Sequence, residues 1–403
     1  GAIYTMEAER PWAEAVVITG NMITAVLDTS EAVEAFVGPE TRVVDLEGAF
    51  VVPGFIDGHI LFDGASALIT GINLLRVSDE TGLRAEVDRV ASGLAEGEWI
   101  VGGMWGAYEQ WQLGATGPGS ESASRWLPDR SMIDEVSGAN PCLLSSFDRE
   151  LYLANTLALR VAGVETSPTP GMDRGADGHP TGLIRKGSPV LAQIRSQIKP
   201  KSHHRLLAEN RVALRELAAS GIVEVHDIAK PEQTARLVEL QDNGELTCRF
   251  WLRPDLSRGA ELGEAGLTMG LHPKTKQPDN WLRYGALKGY IVGIMGTHGA
   301  LFFEPYDDQP DNYGHYRRHT SDDPDSATGN MEKMYRLLTV ARENGFVANV
   351  HAIGTKGSAL MLDTYERLME EVGHDLEGYR VIHAQVIRRE DFPRFEKLNV
   401  IAE

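Results

Sequence analysis

Several apolar runs of this sequence carry or end in residues of the types that bind metal ions. Asp57 and His59 lie two residues apart in one run, Lys288 lies within another, and His351 and His383 each close a run of their own. Imidazole suits zinc, and a catalytic zinc keeps one coordination place free for a water molecule whose pKa it lowers. These residue types are therefore compatible with metal-assisted hydrolysis in which that water is the nucleophile.

Each of these residues also has an ordinary structural explanation. A single buried histidine is more often a hydrogen-bonded core residue than a metal ligand. The spacing of the residues does not decide between the two explanations, so the elements that position them have to be considered.

The apolar runs have the length and composition of strands buried on both faces of a parallel sheet. Amphipathic helices lie between them, one over about 78–94 and another in which Met334, Leu337, Leu338 and Ala341 share a face before Gly345. Alternation of this kind predicts an α/β fold, a TIM-like (β/α)8 barrel, with an open doubly wound sheet as the alternative. In a barrel the carboxyl ends of the strands meet at one mouth. The seven predicted strands are 50–60, 221–227, 247–254, 282–292, 345–352, 379–385 and 398–402.

The order of these patterns predicts two domains. Residues 1–52 contain short β-type runs, two of them joined by Gly20-Asn21, and predict part of a small β-sandwich domain. Residues 53–403 carry the predicted barrel. Within it, residues 100–200 are rich in Gly, Pro, Ser and Trp and are interpreted as an insertion that covers the mouth.

Composition narrows the classes of function. The 403 residues carry 39 Lys+Arg against 58 Asp+Glu, a net charge of −19, which disfavours binding to nucleic acid or to anionic membranes. No apolar run reaches the roughly 20 residues that a membrane helix needs. The only cysteines, Cys142 and Cys248, cannot form a disulfide framework, so a cytoplasmic location is expected.

The run Val52-Pro53-Gly54-Phe55-Ile56-Asp57-Gly58-His59 resembles the opening signature of the amidohydrolase superfamily. The resemblance extends over nearly the whole chain and is strongest to the amidohydrolase-3 (YtcJ-like) group. Further segments that carry it are 97–103, 153–155, 177–183, 285–288, 303–306, 351–354 and 383–385.

The resemblance implies a ligand set. Lys288 corresponds to the lysine that becomes carboxylated in this group, His351 and His383 to the two ligands of one metal position, and His59 to a ligand of the other. One zinc ion is expected, with two ions or manganese as alternatives. The family's general base, an aspartate near the end of the eighth strand, is expected beyond Glu403. Asp57 is expected to support His59 rather than to bind metal.

Three positions depart from the family pattern. Leu61 stands where the second histidine of the His59 pair is usual, Val292 where an acidic residue commonly follows the lysine, and Ile382 where a glutamate is usual. Apolar side chains cannot bind metal, so one metal position is weakened or empty. An imidazole at position 61 would complete the pair with His59.

Two functions are compatible with these observations. The first is a metal-dependent hydrolase that cleaves an amide-like C–N bond, of the N-substituted amide or formamide class, in a small-molecule substrate. The second is a pseudoenzyme, or an altered scaffold, with a binding or structural role. A homodimer is one option for the assembly. Substrate contacts are expected from His226, Trp105, Trp111 and, more weakly, His298, although packing or solvation explains each of them as well.

Overall fold

The N-terminal part of the chain consists of short strands in two sheets. The computed structural model describes residues 2–106, 126–147, 149–165, 170–176, 178–317, 327–373 and 376–403. Its first strands are β1 (Ala2–Tyr4), β2 (Trp12–Ala13), β3 (Ala15–Thr19), β4 (Met22–Leu27) and β5 (Phe50–Val51). β1 pairs with β2 and β5, and β3 pairs with β4 in the hairpin predicted across Gly20-Asn21, which is confirmed. Packing of these sheets as a sandwich stays a prediction.

The middle of the chain forms a unit with its own sheet. It follows β6 (Phe55–Ile60) and α1 (Phe62–Thr70). Leu83 and Val87 pack in one apolar cluster with Ile100 and Trp105, so the unit has a core of its own. Coverage of a barrel mouth by residues 100–200 stays a prediction. The five strands are in the order β10-β11-β9-β8-β7. The elements of the unit are α2 (Glu80–Ala91), β7 (Ile100–Trp105), α3 (Ser131–Asp134), β8 (Cys142–Ser146), β9 (Leu151–Ala154), α4 (Thr156–Val161), β10 (Met172–Arg174), β11 (Pro180–Arg185) and α5 (Pro189–Gln197).

From residue 203 onward, helices alternate with parallel strands. Together with β6 they form two four-stranded sheets, in the orders β14-β13-β12-β6 and β15-β16-β17-β18. Every pairing within these sheets is parallel. The elements are α6 (His203–Ala219), β12 (Ile222–Asp227), α7 (Pro231–Asp242), β13 (Arg249–Leu252), α8 (Gly259–Glu264), β14 (Leu282–Tyr284), β15 (Leu287–Tyr290), α9 (Ala327–Glu343), β16 (Ala348–Ala352), α10 (Thr355–Val372), β17 (Arg380–His383), α11 (Phe392–Leu398) and β18 (Ile401–Ala402).

A backbone link joins the two parallel sheets. Asp255 and Lys288 form a parallel bridge, and Lys288 N donates to Pro254 O at 2.8 Å. The sheets thus continue into one another between β13 and β15. Among the described strands, β6 pairs only with β12 and β18 only with β17. The α/β prediction is confirmed, and closure of the strands into a barrel stays a prediction.

One face of the parallel strands packs against the helices. Leu287, Val350 and Val381 lie in a buried apolar cluster with helix residues such as Met334 and Tyr365. Because side chains alternate along a strand, Lys288 and His351, next to Leu287 and Val350, point to the opposite face. None of the described helices is long and apolar enough to cross a membrane.

The predicted strand 282–292 is in fact two strands, which is a correction to the sequence analysis. β14 pairs with β13, while β15 pairs with β16, and the break falls at Gly285 and Ala286. A Cβ atom on Gly285 would lie 1.3 Å from the Trp251 indole. The glycine is therefore needed for close contact with the neighbouring strand, and an apolar run does not reveal such a contact.

We predict that Gly285→Ala destabilises the protein by about 1–3 kcal/mol, because Trp251 would have to leave its position. The measurement is urea unfolding of both proteins. Gly296→Ala is the matched control, because nothing lies within 4 Å of the Cβ it would add. Equal stability of the two variants would contradict the role assigned to Gly285.

Candidate metal centre

The pairing of β15 with β16 sets the positions of the first two candidate ligands. Lys288 lies opposite Asn349, and Tyr290 lies opposite His351. Paired residues of parallel strands share a face of the sheet, so Lys288, Tyr290 and His351 all project to the side away from the helices. The rings of Tyr290 and His351 are 5.6 Å apart.

Lys288 is a buried amine with an unusual environment. Its side chain is 0% exposed, and within the described part of the chain its Nζ atom has no hydrogen-bond partner. Nζ lies 5.0 Å from the centre of the Tyr290 ring. Burial, and then the charge of Arg253, lower the pKa of Lys288 to about 7. A substantial fraction of the amine is therefore neutral at physiological pH, as an electron-pair donor or a nucleophile towards carbon dioxide has to be.

Three imidazoles lie together beside this amine. The rings of His351 and His383 are 4.7 Å apart, and those of His59 and His383 are 5.2 Å apart. Burial lowers the pKa of His351 to about 3 and that of His383 to about 4. Both rings are thus neutral near pH 7 and able to donate a lone pair.

Hydrogen bonding fixes the tautomer of His351. Its Nε2 atom lies 3.1 Å from the Gly293 carbonyl oxygen, which can only accept. Nε2 therefore carries the proton, and Nδ1 holds the lone pair. Such a contact orients a metal-binding imidazole in the way that outer hydrogen bonds commonly do.

His383 reaches the other rings through a turn in the backbone. Register places Ile382 opposite His351 and His383 opposite Ala352, so simple alternation would put Ile382 on the side of the site. His383 has φ +76°, in the left-handed region that is unfavourable for residues other than glycine. Strain at a non-glycine residue is typical of functional sites, and here it accompanies the approach of His383 to His351.

Arg253 forms the centre of a second group of polar side chains. It is 1% exposed, and its Nη1 atom lies 3.1 Å from Glu403 Oε1 and 3.5 Å from His59 Nδ1. Its Nη2 atom lies 3.2 Å from Glu403 Oε2 and 3.1 Å from His226 Nδ1. One guanidinium therefore connects two histidines and a carboxylate.

Glu403 is held as an anion by its neighbours. Arg380 Nη1 donates to its Oε2 atom at 2.7 Å, in addition to the two bonds from Arg253. Burial alone would raise the pKa of Glu403, but hydrogen bonds from His59, Arg253 and Arg380 outweigh it and hold the pKa well below its usual range. This carboxylate is therefore ionised at neutral pH and is a poor proton acceptor.

The three apolar departures from the family pattern take different positions. The Leu61 side chain is 56% exposed at the start of α1. Val292 is buried and forms an antiparallel bridge with Tyr316. Ile382 is buried opposite His351. None of the three can donate electrons to a cation.

The residues fit one metal position and not the other. Among the described residues, no three His, Cys, Asp or Glu side chains are arranged to hold a metal ion, so a site here has to include Lys288. Lys288, with its unbonded buried Nζ, and the neutral His351 and His383 fit such a position. His59 lacks a partner for a second position, because Leu61 is apolar and the groups 3.5 Å from its Nδ1 atom, Arg253 Nη1 and Glu403 Oε1, are already paired with each other.

The other residues that the sequence analysis named as site residues are outside the proposed ligand set. His226 accepts from Arg253 through Nδ1, so its Nε2 atom carries the proton and faces Glu224 at 3.4 Å. Asp57 accepts from the backbone N–H of His59 at 3.0 Å, and His298 pairs with Asp308 in a loop at 2.8 Å. Trp105 is buried in the core of the middle sheet, and Trp111 lies outside the described residues.

Sequence reasoning missed Arg253, Arg380 and Glu403. A signal was present for Arg253, because it closes the apolar run Phe250–Leu252 just as the histidines close theirs. Arginine is not a metal ligand, and a search for ligand types passes over it.

Asp227 ties two strands of the site together. Its Oδ1 atom accepts from Phe62 N, the first residue of α1, at 2.8 Å, and its other oxygen accepts from Gln233. Burial raises the pKa of Asp227 to about 7. The end of β6, which carries His59, is therefore anchored to the end of β12.

Comparison with known proteins identifies the family of the chain. A model of the amidohydrolase family matches residues 42–403. The chain belongs to the amidohydrolase family. A solved structure of an uncharacterized metal-dependent hydrolase from Pyrococcus horikoshii OT3 has the same fold, with a TM-score of 0.70 and 21% identity over 100% of this chain and 72% of that one.

The chain is also similar to several curated proteins. It is 29% identical to protein LONG AFTER FAR-RED 3 of Arabidopsis thaliana, covering 100% of this chain and 66% of that protein. It is 26% identical to putative amidohydrolase YtcJ of Bacillus subtilis (strain 168), covering 99% and 70%, as the resemblance predicted. N-substituted formamide deformylase of Arthrobacter pascens is 27% identical over 47% of this chain and 34% of its own length. The chain thus spans 66–70% of the length of the first two relatives.

We predict that Lys288→Ala and His383→Ala each weaken ion binding by at least about 100-fold, beyond the 10–100-fold typical of losing an outer-shell partner. The reason is that each removes one of three donors. Metal content after dialysis against zinc is the measurement. His203→Ala, at an exposed position on α6, is the control. Full metal content in both test variants would show that the assigned ligands are wrong.

Proposed function

We propose that this chain is a metal-dependent hydrolase that cleaves an amide-like C–N bond, of the N-substituted amide or formamide class, in a small molecule. The observation that carries the proposal is the buried Lys288 amine, which has no hydrogen-bond partner among the described residues and lies beside the neutral rings of His351 and His383. The amide class is supported by family membership and by the similarity of part of the chain to an N-substituted formamide deformylase.

Lys288, His351 and His383 would hold one ion, with zinc as the proposed identity and manganese as the alternative. The burial of Lys288 would favour reaction of its neutral amine with carbon dioxide, which forms a carbamate with oxygen donors and releases one proton. Arg253 would stabilise this new anion, since its charge already acts on Lys288. When bound, the ion would lower the pKa of a water molecule and polarise the scissile carbonyl group.

The chain's own residues then have separate tasks. His351 is kept in one tautomer by Gly293, and the turn at His383 brings its ring next to His351. Hydrolysis adds water across the C–N bond, so one proton has to move from the water to the leaving amine. Glu403 is unsuited to this transfer because Arg253 and Arg380 keep it ionised. We expect a carboxylate beyond Glu403 to carry this proton from the water to the amine, as the family resemblance implies.

A second function is favoured by one observation. Leu61, Val292 and Ile382 are apolar at positions where the family resemblance implies polar residues, and such replacements are what loss of activity would leave behind. In that case the chain would be a pseudoenzyme that binds ligands or partners without turnover.

We predict that the zinc-loaded protein releases amine from at least one member of a panel of N-substituted formamides and N-acyl amines. Chelation should abolish the activity and added zinc or manganese should restore it. His351→Ala should lower kcat/KM at least about 100-fold, because a misplaced or absent ion removes most of the carbonyl polarisation. Lys274→Ala, which disrupts an exposed ion pair with Asp242, is the control. Metal binding without any turnover across the panel would favour the pseudoenzyme.

A further inference from the structure

The family resemblance implies that the first metal position has lost one ligand in this chain, and the structure shows which groups surround the ligand that remains. The inference rests on the proposed function, because it concerns how many ions the same site takes. His59 keeps the place of one ligand, and the partner position, Leu61, is apolar. His59 Nδ1 lies 3.5 Å from both Arg253 Nη1 and Glu403 Oε1, so it faces an ion pair that is already formed.

The contacts of Arg253 are those that would otherwise be available to an ion. Its terminal nitrogen atoms lie 3.1–3.2 Å from His226 Nδ1 and from both carboxylate oxygens of Glu403, and 3.5 Å from His59 Nδ1. Nitrogen lone pairs and carboxylate oxygens are the donors that zinc uses in proteins. Here they meet an organic cation in place of a metal ion.

The charges around His59 also disfavour a second metal ion. A buried charge is retained only when it is paired and hydrogen-bonded, and Glu403 provides this pairing for Arg253. Arg380 also donates to Glu403, so two guanidinium groups already share this carboxylate. A divalent cation beside His59 would be repelled by both and would find no free carboxylate among the groups described around it.

We propose that the Arg253 guanidinium takes the place of a second metal ion in this chain, holding His59 and Glu403, so that the centre binds a single ion at Lys288, His351 and His383. Arg253 is a positioning residue in this arrangement. Its charge, rather than the missing ligand at position 61 alone, keeps the second position closed to metal. The sequence suggested that an imidazole at position 61 would suffice to restore a second ion. The structure predicts that it does not.

The test is a metal count on four proteins: the unaltered chain, Leu61→His, Leu61→His with Arg253→Gln, and Leu61→His with Arg253→Lys. Each is loaded with manganese, freed of excess by gel filtration, and analysed by mass spectrometry and by electron paramagnetic resonance. Gln keeps N–H donors but has no charge, whereas Lys keeps the charge. Leu61 is exposed, so its substitution leaves the core intact.

The expected result is that Leu61→His binds as many ions as the unaltered chain. The variant with Arg253→Gln should bind one more ion per chain and show coupling between two manganese ions, and the variant with Arg253→Lys should bind no more than Leu61→His. An extra ion in Leu61→His alone would overturn the proposal. So would an equal count in the folded Gln variant, with folding checked by thermal unfolding.

This test is separate from that of the proposed hydrolase. If the unaltered chain bound no ion, the ligand assignment at Lys288 would fail. The gain of one ion between Leu61→His and its Arg253→Gln partner would still establish the role of Arg253.

Discussion

The parallel register between β15, β16 and β17 decides which side chains can meet. Because Tyr290 lies opposite His351, Lys288 is two residue pairs away from His351 along the strands, and its side chain projects from the same face. Burial in this layer removes water from Lys288 and makes its charged form unfavourable. The same desolvation keeps His351 and His383 neutral. The chemistry of the centre thus follows from where hydrogen bonding between strands places these residues.

Around this neutral cluster lies a layer in which charge is balanced by close pairing. Arg253 and Arg380 share the Glu403 carboxylate, and His226 accepts from Arg253. Removing one member of such a network leaves buried charges uncompensated, which is far more costly than losing an exposed ion pair. The two layers meet at His59, which contacts His383 on one side and Arg253 on the other.

Much of this arrangement was accessible from the sequence. Continuous apolar runs located the strands that carry Lys288, His351 and His383, because these strands are buried on both faces. Helical periodicity located two of the helices, and the Gly20-Asn21 turn located the hairpin. The break at Gly285 was missed because it depends on contact with Trp251, about 30 residues away. The roles of Arg253 and Glu403 were missed for a related reason, because these residues pair with each other although they are 150 positions apart in the chain. The left-handed turn at His383 has no signature in residue type.

Because Arg253 is part of the chain, its charge stays at this centre for the lifetime of the protein. A metal ion dissociates, exchanges and depends on supply, whereas a guanidinium is present in every molecule from the moment the chain folds. One of the three positive charges carried by Arg253 and the single ion would then be independent of metal starvation or competition between metals. A lineage that lost a histidine beside His59 would retain a defined geometry there, and the cell would need only one ion for each chain.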